Sequence, residues 1–349
     1  MQDRKGLYPV AIALASAVLF GASAPAAKVL LGTVDPVALA ALLYIGSGSG
    51  LAMAWLLRRA APWKGEAGLS LRDLPWLAGS VLAGGIVAPV LLMVSLQHTP
   101  AATASLLLAF ESVATSAVAA LVFREAIGRR VWAAIGLITV ASALLAINLS
   151  GAFGFSPGAL GVIGACLLWG IDNNLTCNIA AKDPVAIGMI KGLGAGTFSL
   201  ALALLLGRSL PGPAGIVPAI GIGMISYGFS IALFILASRG MGAARASAWF
   251  AIAPFAGAAL SLLVFRELPG PQFLVAVPFM IIGALLLFGE VHDHLHVHPP
   301  FEHEHYYAPD EHHPYRADTS CRHRHGVLRH SHPHRPDIHH RHVHDDERR

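Results

Sequence analysis

Long apolar runs alternate along the chain with short polar or Gly/Pro punctuation, and the runs have a length that fits a bilayer. A helix needs about 20 predominantly apolar residues to cross the hydrocarbon layer. Such stretches lie near residues 8–32, 36–58, 74–97, 100–123, 130–149, 157–180, 184–207, 213–237, 240–264 and 271–289. Asp35-Pro36, Thr99-Pro100, Ser156-Pro157, Asp183-Pro184 and Pro211-Gly212-Pro213 punctuate them, as helix starts do when proline follows a capping residue. The connections are short, so neighbouring helices run antiparallel; only residues 59–73 read as a true loop. The basic start (Arg4, Lys5) and Ala22-Ser23-Ala24 have the look of a cleavable leader. The apolar run continues to Leu31, however, and we read it as the first span.

A second regularity appears when the sequence is shifted so that residue 101 falls on residue 243. AATASLLLAFESVATSAVAALVFRE (101–125) then aligns with AARASAWFAIAPFAGAALSLLVFRE (243–267), both ending Leu-Val-Phe-Arg-Glu. Upstream, Leu19-Phe20-Gly21 matches Leu168-Trp169-Gly170. The reading is a duplicated unit of five helices, residues 1–149 and 150–289. Five is odd, so the second unit enters the membrane inverted. Inverted repeats are a common construction in secondary transporters, which rock around a central site, and Gly, Ala and Ser at helix contacts suit close packing.

Composition agrees. Only 13% of the 349 residues are charged, against about a quarter in an ordinary soluble domain, and the mean hydropathy is +0.62. Lys and Arg set the orientation. With the N-terminus inside, the inner loops hold Arg4, Lys5, Arg58, Arg59, Lys64, Arg72, Arg124, Arg129, Arg130, Lys182 and Arg239, while the outer loops hold Arg208 and Arg266. This predicts a multi-pass protein of the cell (inner) membrane with both termini cytoplasmic. No basic stripe with interleaved aromatics points to nucleic acid. Three cysteines without framework spacing point to no disulfides.

The segments AFESVATSAVAALVFREAIGRRVWAAIGLITVASALL and FAIAPFAGAALSLLVFRELPGPQFLVAVPFMIIGALLL resemble the two repeats of the EamA family, within the drug/metabolite transporter superfamily. The resemblance covers about residues 8–289 and rests on Glu111, Pro254, Glu125 and Glu267, with Ser112 where proline is usual. WGIDNNLT (169–176) resembles a bacterial subgroup that often ends in a His-rich tail. The resemblance implies ten helices and transport of small organic solutes, usually export; it names no solute.

Charged residues inside the membrane are costly and are functional candidates by default. Glu111 falls mid-span in the fourth stretch, Asp172 in the inner half of the sixth and Lys191 about two turns into the seventh. Arg245 lies near the inner end of the ninth and Lys28 near the outer end of the first, where both can reach the interface along their aliphatic stems. Glu111 cannot; a carboxyl there either holds a structural hydrogen bond or takes up and releases a proton during a transport cycle. Asp172 and Lys191 sit at similar depth and are placed to neutralise each other. Asp172, Asn173 and Asn174 beside Trp169 form the richest polar cluster of any span, and with Glu111 they are the expected solute contacts; interhelical bonding is the competing role for the asparagines. No zinc-protease, phosphate-loop or serine-hydrolase motif occurs, so neither an enzyme nor an ATP-driven pump is expected.

The tail differs from everything before it. Residues 1–289 carry 16 Lys+Arg against 9 Asp+Glu, residues 290–349 carry 8 against 11, and all His but His98 lie in the latter. They come in His-x-His steps: His292, His294, His296 and His298; His303 and His305; His323 and His325; His330, His332 and His334; His340, His342 and His344. In an extended chain residues two apart share a face, and imidazole pairs suit Zn, Ni, Co or Cu. Prolines and interleaved charges predict disorder without metal. The function expected is therefore secondary-active transport of a small solute, an exporter with a metal-binding cytoplasmic tail and no cofactor required for transport. Efflux of Ni, Co or Zn itself, and a non-transporting membrane-anchored metal sensor or buffer, are the competing readings. The partners expected are the lipid bilayer and a small-molecule or metal-ion substrate, with no nucleic acid and a homodimer left open.

Overall fold

The computed structural model describes residues 3–60, 68–123, 128–148, 154–180, 182–241, 246, 249–266, 270–287, 292–298, 301–304, 322–325 and 328–334. Among them, eight helices are long and apolar enough to cross a membrane by length and composition. They are α1 (Tyr8–Leu30), α2 (Pro36–Arg58), α3 (Leu71–Gln97), α4 (Ala101–Leu121), α5 (Arg129–Ala146), α6 (Pro157–Cys177), α7 (Pro184–Leu205) and α8 (Pro213–Ser238). Two shorter apolar helices follow, α9 (Ala253–Phe265) and α10 (Pro271–Leu287). Part of the predicted ninth stretch, including Arg245, lies outside the described residues, as do Lys64, Arg124, Glu125 and Glu267.

The Asp-Pro pairs do what their chemistry dictates. The Asp35 carboxylate accepts from the backbone N–H of Val37 at 2.9 Å, and Asp183 accepts from that of Val185 at 2.9 Å. Each caps a helix whose first position is proline. The same acids tie α2 to α7 reciprocally: Arg58 at the end of α2 lies 3.7 Å from Asp183, and Arg208 just past α7 lies 3.8 Å from Asp35. The two helices thus run antiparallel. Between the caps they pack backbone to backbone: a Cβ on Gly192 would sit 2.4 Å from the Gly48 nitrogen. A second reciprocal pair involves the matched glycines of the repeat. A Cβ on Gly21 would meet the Ala253 carbonyl at 2.4 Å, and one on Gly170 would meet the Ala114 backbone at 2.7 Å. So α1 lies against α9 as α6 lies against α4.

Two further irregularities matter for the interior. First, α3 and α8 each contain a π-helical stretch, Val81–Val87 and Gly223–Phe229, in the same register of the sequence repeat (81 onto 223). Second, α4 is broken by a turn at Leu108–Ala109, and a turn at Ala251–Ile252 precedes α9. At the first break the backbone N–H of Glu111 reaches only the Leu108 carbonyl, 3.0 Å away. Outward faces carry exposed Leu57, Leu205, Val217, Leu263 and Leu274, as a lipid-facing surface should.

Composition predicts a structureless tail. In the described backbone His292–His298 instead pairs antiparallel with Leu328–His334, and Phe301–Glu304 with Arg322–His325. The register sets His292 opposite His334, His294 opposite His332, His296 opposite His330 and His303 opposite His323. His-x-His has the two-residue period of a strand, which composition alone does not reveal. His305, His340, His342 and His344 lie outside the described residues.

Candidate functional site

The sixth helix supplies the site's spine. Ser156 opens α6, its side chain accepting from the Ala159 N–H at 3.4 Å. Trp169, Asp172 and Thr176 then fall on one face at helical spacing, with Asn173 beside them. Asp172 is buried and takes three bonds on one oxygen, Oδ1. Lys191 Nζ donates at 2.6 Å, Thr176 Oγ1 donates at 3.0 Å, and Ser80 Oγ of α3 donates as well. Lys191 also donates to Thr176 Oγ1 at 3.0 Å. Both partners are sequestered, with side-chain exposures of 4% and 8%. Placing Lys191 on the next helix at matching depth brings this pair together, as the sequence leads one to expect.

Glu111 is buried directly after the break in α4. Asn173 Nδ2 donates to its Oε1 at 3.0 Å and to Thr115 Oγ1 at 3.1 Å. Among the described residues Glu111 forms no ion pair. Its neighbour Asn174 turns the other way and donates to the backbone carbonyls of Thr115 and Gly170 at 2.9 and 2.8 Å. It staples α4 to α6 and does not line the site.

Aromatic rings that the sequence reading missed form the wall. Phe20 is the hub, with ring centroids 5.7 Å from Trp169, 5.7 Å from Tyr227 and 5.1 Å from Phe250. Phe234 lies 5.1 Å from Phe250, and Tyr44 lies 5.5 Å from Tyr227. One signal was available for Phe20: the repeat aligns it with Trp169. Tyr44, Phe234 and Phe250 gave none, because aromatic residues in apolar helices are ordinary.

A backbone defect fixes two of these rings. At the end of the π-helical stretch the Ala88 N–H bonds to the Ala83 carbonyl, so the Gly84 carbonyl loses its α-helical partner. Its π-helical partner would be residue 89, which is proline and has no N–H. The orphaned carbonyl accepts from Tyr44 Oη at 2.7 Å and from Trp169 Nε1 at 3.0 Å. Gly84 must be glycine, since a Cβ there would sit 1.9 Å from Asp172 Oδ2.

These groups enclose a cavity of about 40 Å³, lined by Glu111, Asp172, Asn173, Thr176, Lys191 and Ser230 among its polar groups and by Phe20, Tyr44, Trp169, Phe234 and Phe250. It has room for roughly three waters. A second hollow of about 10 Å³ lies on the other side of Glu111 against Ser105, Ser112, Ala253 and Pro254. Glu111, Phe20 and Phe250 are common to both. Helix breaks beside a buried cavity lined from both halves of the chain are the construction of a solute pathway.

Two candidates fall elsewhere. Lys28 was expected to snorkel to the interface. Its Nζ donates to the Leu96 and Thr99 carbonyls at the end of α3, where helix-end carbonyls need donors and attract a cation. Arg245 lies outside the described residues. No cluster of three metal-ligating side chains occurs among the described residues.

This arrangement of apolar helices around a polar cavity defines a multi-pass membrane protein of transporter type. Residues 7–147 and 156–289 match the EamA-like transporter family, and the chain belongs to that family. It is 27% identical over 294 residues to an uncharacterized transporter of Methanothermobacter thermautotrophicus, covering 79% of this chain and 84% of that protein. A crystal structure of another protein superposes with a TM-score of 0.63 at 17% identity, covering 80% of this chain and 96% of the other. At that identity the likeness concerns the fold alone.

Proposed function

We propose that the protein is a secondary-active exporter of a small solute, built as two inverted five-helix units of the inner membrane with both termini in the cytoplasm. The observation that carries this reading is the cavity between Glu111 of α4 and Asp172 of α6, with Phe20 and Phe250 standing between it and the second hollow. Glu111 is the proton-coupling group: it stands at a helix break, lines both hollows and, among the described residues, has the Asn173 amide as its side-chain partner. The Asp172–Lys191 pair holds α6 to α7 and polarises one wall. Reciprocal contacts of α2 with α7, and of α1–α9 with α6–α4, support rocking of one unit against the other around this site.

The tail binds a divalent transition metal, Zn, Ni, Co or Cu. The register that sets His294 opposite His332 supports this, because directly opposed strand positions lie about 5 Å apart at Cβ. The same histidines favour a second reading, efflux of the metal itself with the tail as its intake. Cells expressing the full chain, the chain cut after Gly289 and Glu111→Gln separate the two. A fall in cellular Ni, Co or Zn that needs both Glu111 and the tail makes metal the cargo. Unchanged metal levels in all three, with solute-driven proton movement in proteoliposomes that Glu111→Gln abolishes, support organic-solute export. Absence of any Glu111-dependent flux in either assay sinks transport.

A further inference from the structure

The polar groups of the chamber are unevenly spent, and the imbalance describes its ligand. Its donors are nearly all used. Tyr44 Oη and Trp169 Nε1 both donate to the Gly84 carbonyl. Asn173 uses its amide hydrogens on Glu111 and Thr115. The Thr176 hydroxyl donates to Asp172, and that of Ser230 to the Ser16 carbonyl at 3.0 Å. Lys191 gives two of its three N–H bonds to Asp172 and Thr176. Acceptors remain open: among the described residues neither Glu111 Oε2 nor Asn173 Oδ1 accepts a bond.

Charge is unbalanced in the same direction. Asp172 and Lys191 pair at 2.6 Å, while the Glu111 carboxyl, which lines the same cavity as Lys191, forms no ion pair among the described residues. Because Tyr44 and Trp169 turn their polar ends to Gly84, the remaining surface they offer the chamber is ring. With Phe20, Phe234 and Phe250 they make a wall of the kind that attracts a cation by its quadrupole.

Resting on the reading that this chamber is the solute site, we propose that it binds a protonated primary or secondary amine with an apolar body. The ammonium head sits at Glu111 and Asn173, making charge-assisted bonds that a carboxylate ligand cannot make, and the body lies against the rings. The cavity of about 40 Å³ admits the head as the chamber stands. Phe20 and Phe250, shared with the second hollow, are the side chains that yield to the body. A bare divalent metal ion is excluded from this role, because the chamber offers neither imidazole nor thiolate and only one uncompensated acid.

The test is equilibrium binding to the purified full chain in lipid nanodiscs with three probes that share a phenyl body. Phenethylammonium carries N–H and positive charge, tetraphenylphosphonium carries charge without N–H, and 3-phenylpropionate is an anion. Phenethylammonium is expected to bind at least tenfold more tightly than either of the others. Glu111→Gln, which keeps an acceptor for Asn173, should weaken it at least tenfold, and Phe250→Leu severalfold. Comparing the three probes on the unaltered chain needs no variant to fold. Equal or tighter binding of phenylpropionate, no binding of phenethylammonium, or indifference to Glu111→Gln overturns the proposal; equal binding of tetraphenylphosphonium overturns its N–H requirement. Binding as expected without flux in proteoliposomes defeats the transport reading and leaves the ligand class standing. Flux of other solutes without amine binding does the opposite.

Discussion

The Asp172–Lys191 pair allows a prediction whose size follows from its surroundings. At 2.6 Å and an effective dielectric near 20, two unit charges attract by about 6 kcal/mol, a sum largely offset by several kcal/mol of desolvation for each ion. The pair as a whole therefore adds little. Removing one partner is another matter, because the survivor stays buried: Lys191 would keep only Thr176, and Asp172 only Ser80 and Thr176. Breaking a buried pair costs roughly 3–5 kcal/mol. Asp172→Asn and Lys191→Met should each lose that much stability. The double variant, with no charge left, should recover most of the loss, within about 1–2 kcal/mol of the parent by the same reasoning. The assay is a double-mutant cycle on unfolding free energy in mixed micelles titrated with SDS, read by tryptophan fluorescence. If either single variant costs less than about 1 kcal/mol, the range of an exposed ion pair, the pair is hydrated and its role as a dry strut between α6 and α7 is wrong.

Four other outcomes are expected. Gly84→Ala should abolish solute-driven flux or folding, because its Cβ would collide with Asp172, whereas Gly221→Ala, which meets nothing within 4 Å, should leave SDS stability within about 0.5 kcal/mol of the parent or raise it, apart from backbone propensity. Lys28→Met should cost about 1–3 kcal/mol through the carbonyls left bare at the end of α3 while leaving amine affinity unchanged in the nanodisc assay. Arg58→Gln should cost under about 1 kcal/mol, since its pairing with Asp183 at 3.7 Å is partly exposed. Cutting the chain after Gly289 should remove tight Ni and Zn binding, measured by equilibrium dialysis, and leave phenethylammonium binding intact.

Much of the architecture was legible because the bilayer imposes a crude rule. Runs near 20 apolar residues, opened by Asp-Pro or Ser-Pro, place α2, α6 and α7 to within a few residues of where they lie. The chemistry was legible only where charge made it conspicuous. Glu111, Asp172 and Lys191 stand out in an apolar span, and two of them do pair. Asn174 shows the limit: it looks identical to Asn173 in the sequence, but one residue is about 100° of helix, and that rotation sends it to the α4 backbone instead of the chamber. Lys28 shows a different limit. Its depth alone gave no sign of a partner, which the end of α3 supplies through the Leu96 and Thr99 carbonyls nearly seventy positions away. In the tail the alternation of the His-x-His steps was legible, but which segments pair was not, because His292–His298 and Leu328–His334 lie some thirty residues apart.

The ring wall was hidden most deeply, and the cause is instructive. Nothing marks Tyr44 as special among the apolar residues of α2. Its position depends on a carbonyl 40 residues away, and that carbonyl is free only because two local facts coincide. The π-helical stretch shifts the Ala88 N–H onto Ala83, and Pro89 removes the next donor in line. Either alone would leave Gly84 bonded within its helix. Together they expose one acceptor, close enough to Asp172 that only glycine fits, and Tyr44 and Trp169 converge on it. In doing so both rings spend on Gly84 the polar ends that would otherwise be free to bond a solute. A defect in α3 thus sets the chemistry of a chamber lined largely by other helices: it turns Tyr44 and Trp169 so that their rings are the surface they offer. The corresponding stretch in α8, Gly223–Phe229, has Ile231 where α3 has Pro89. Ile231 supplies the N–H that Pro89 lacks, so the coincidence that exposes the Gly84 carbonyl has no counterpart at that position of α8.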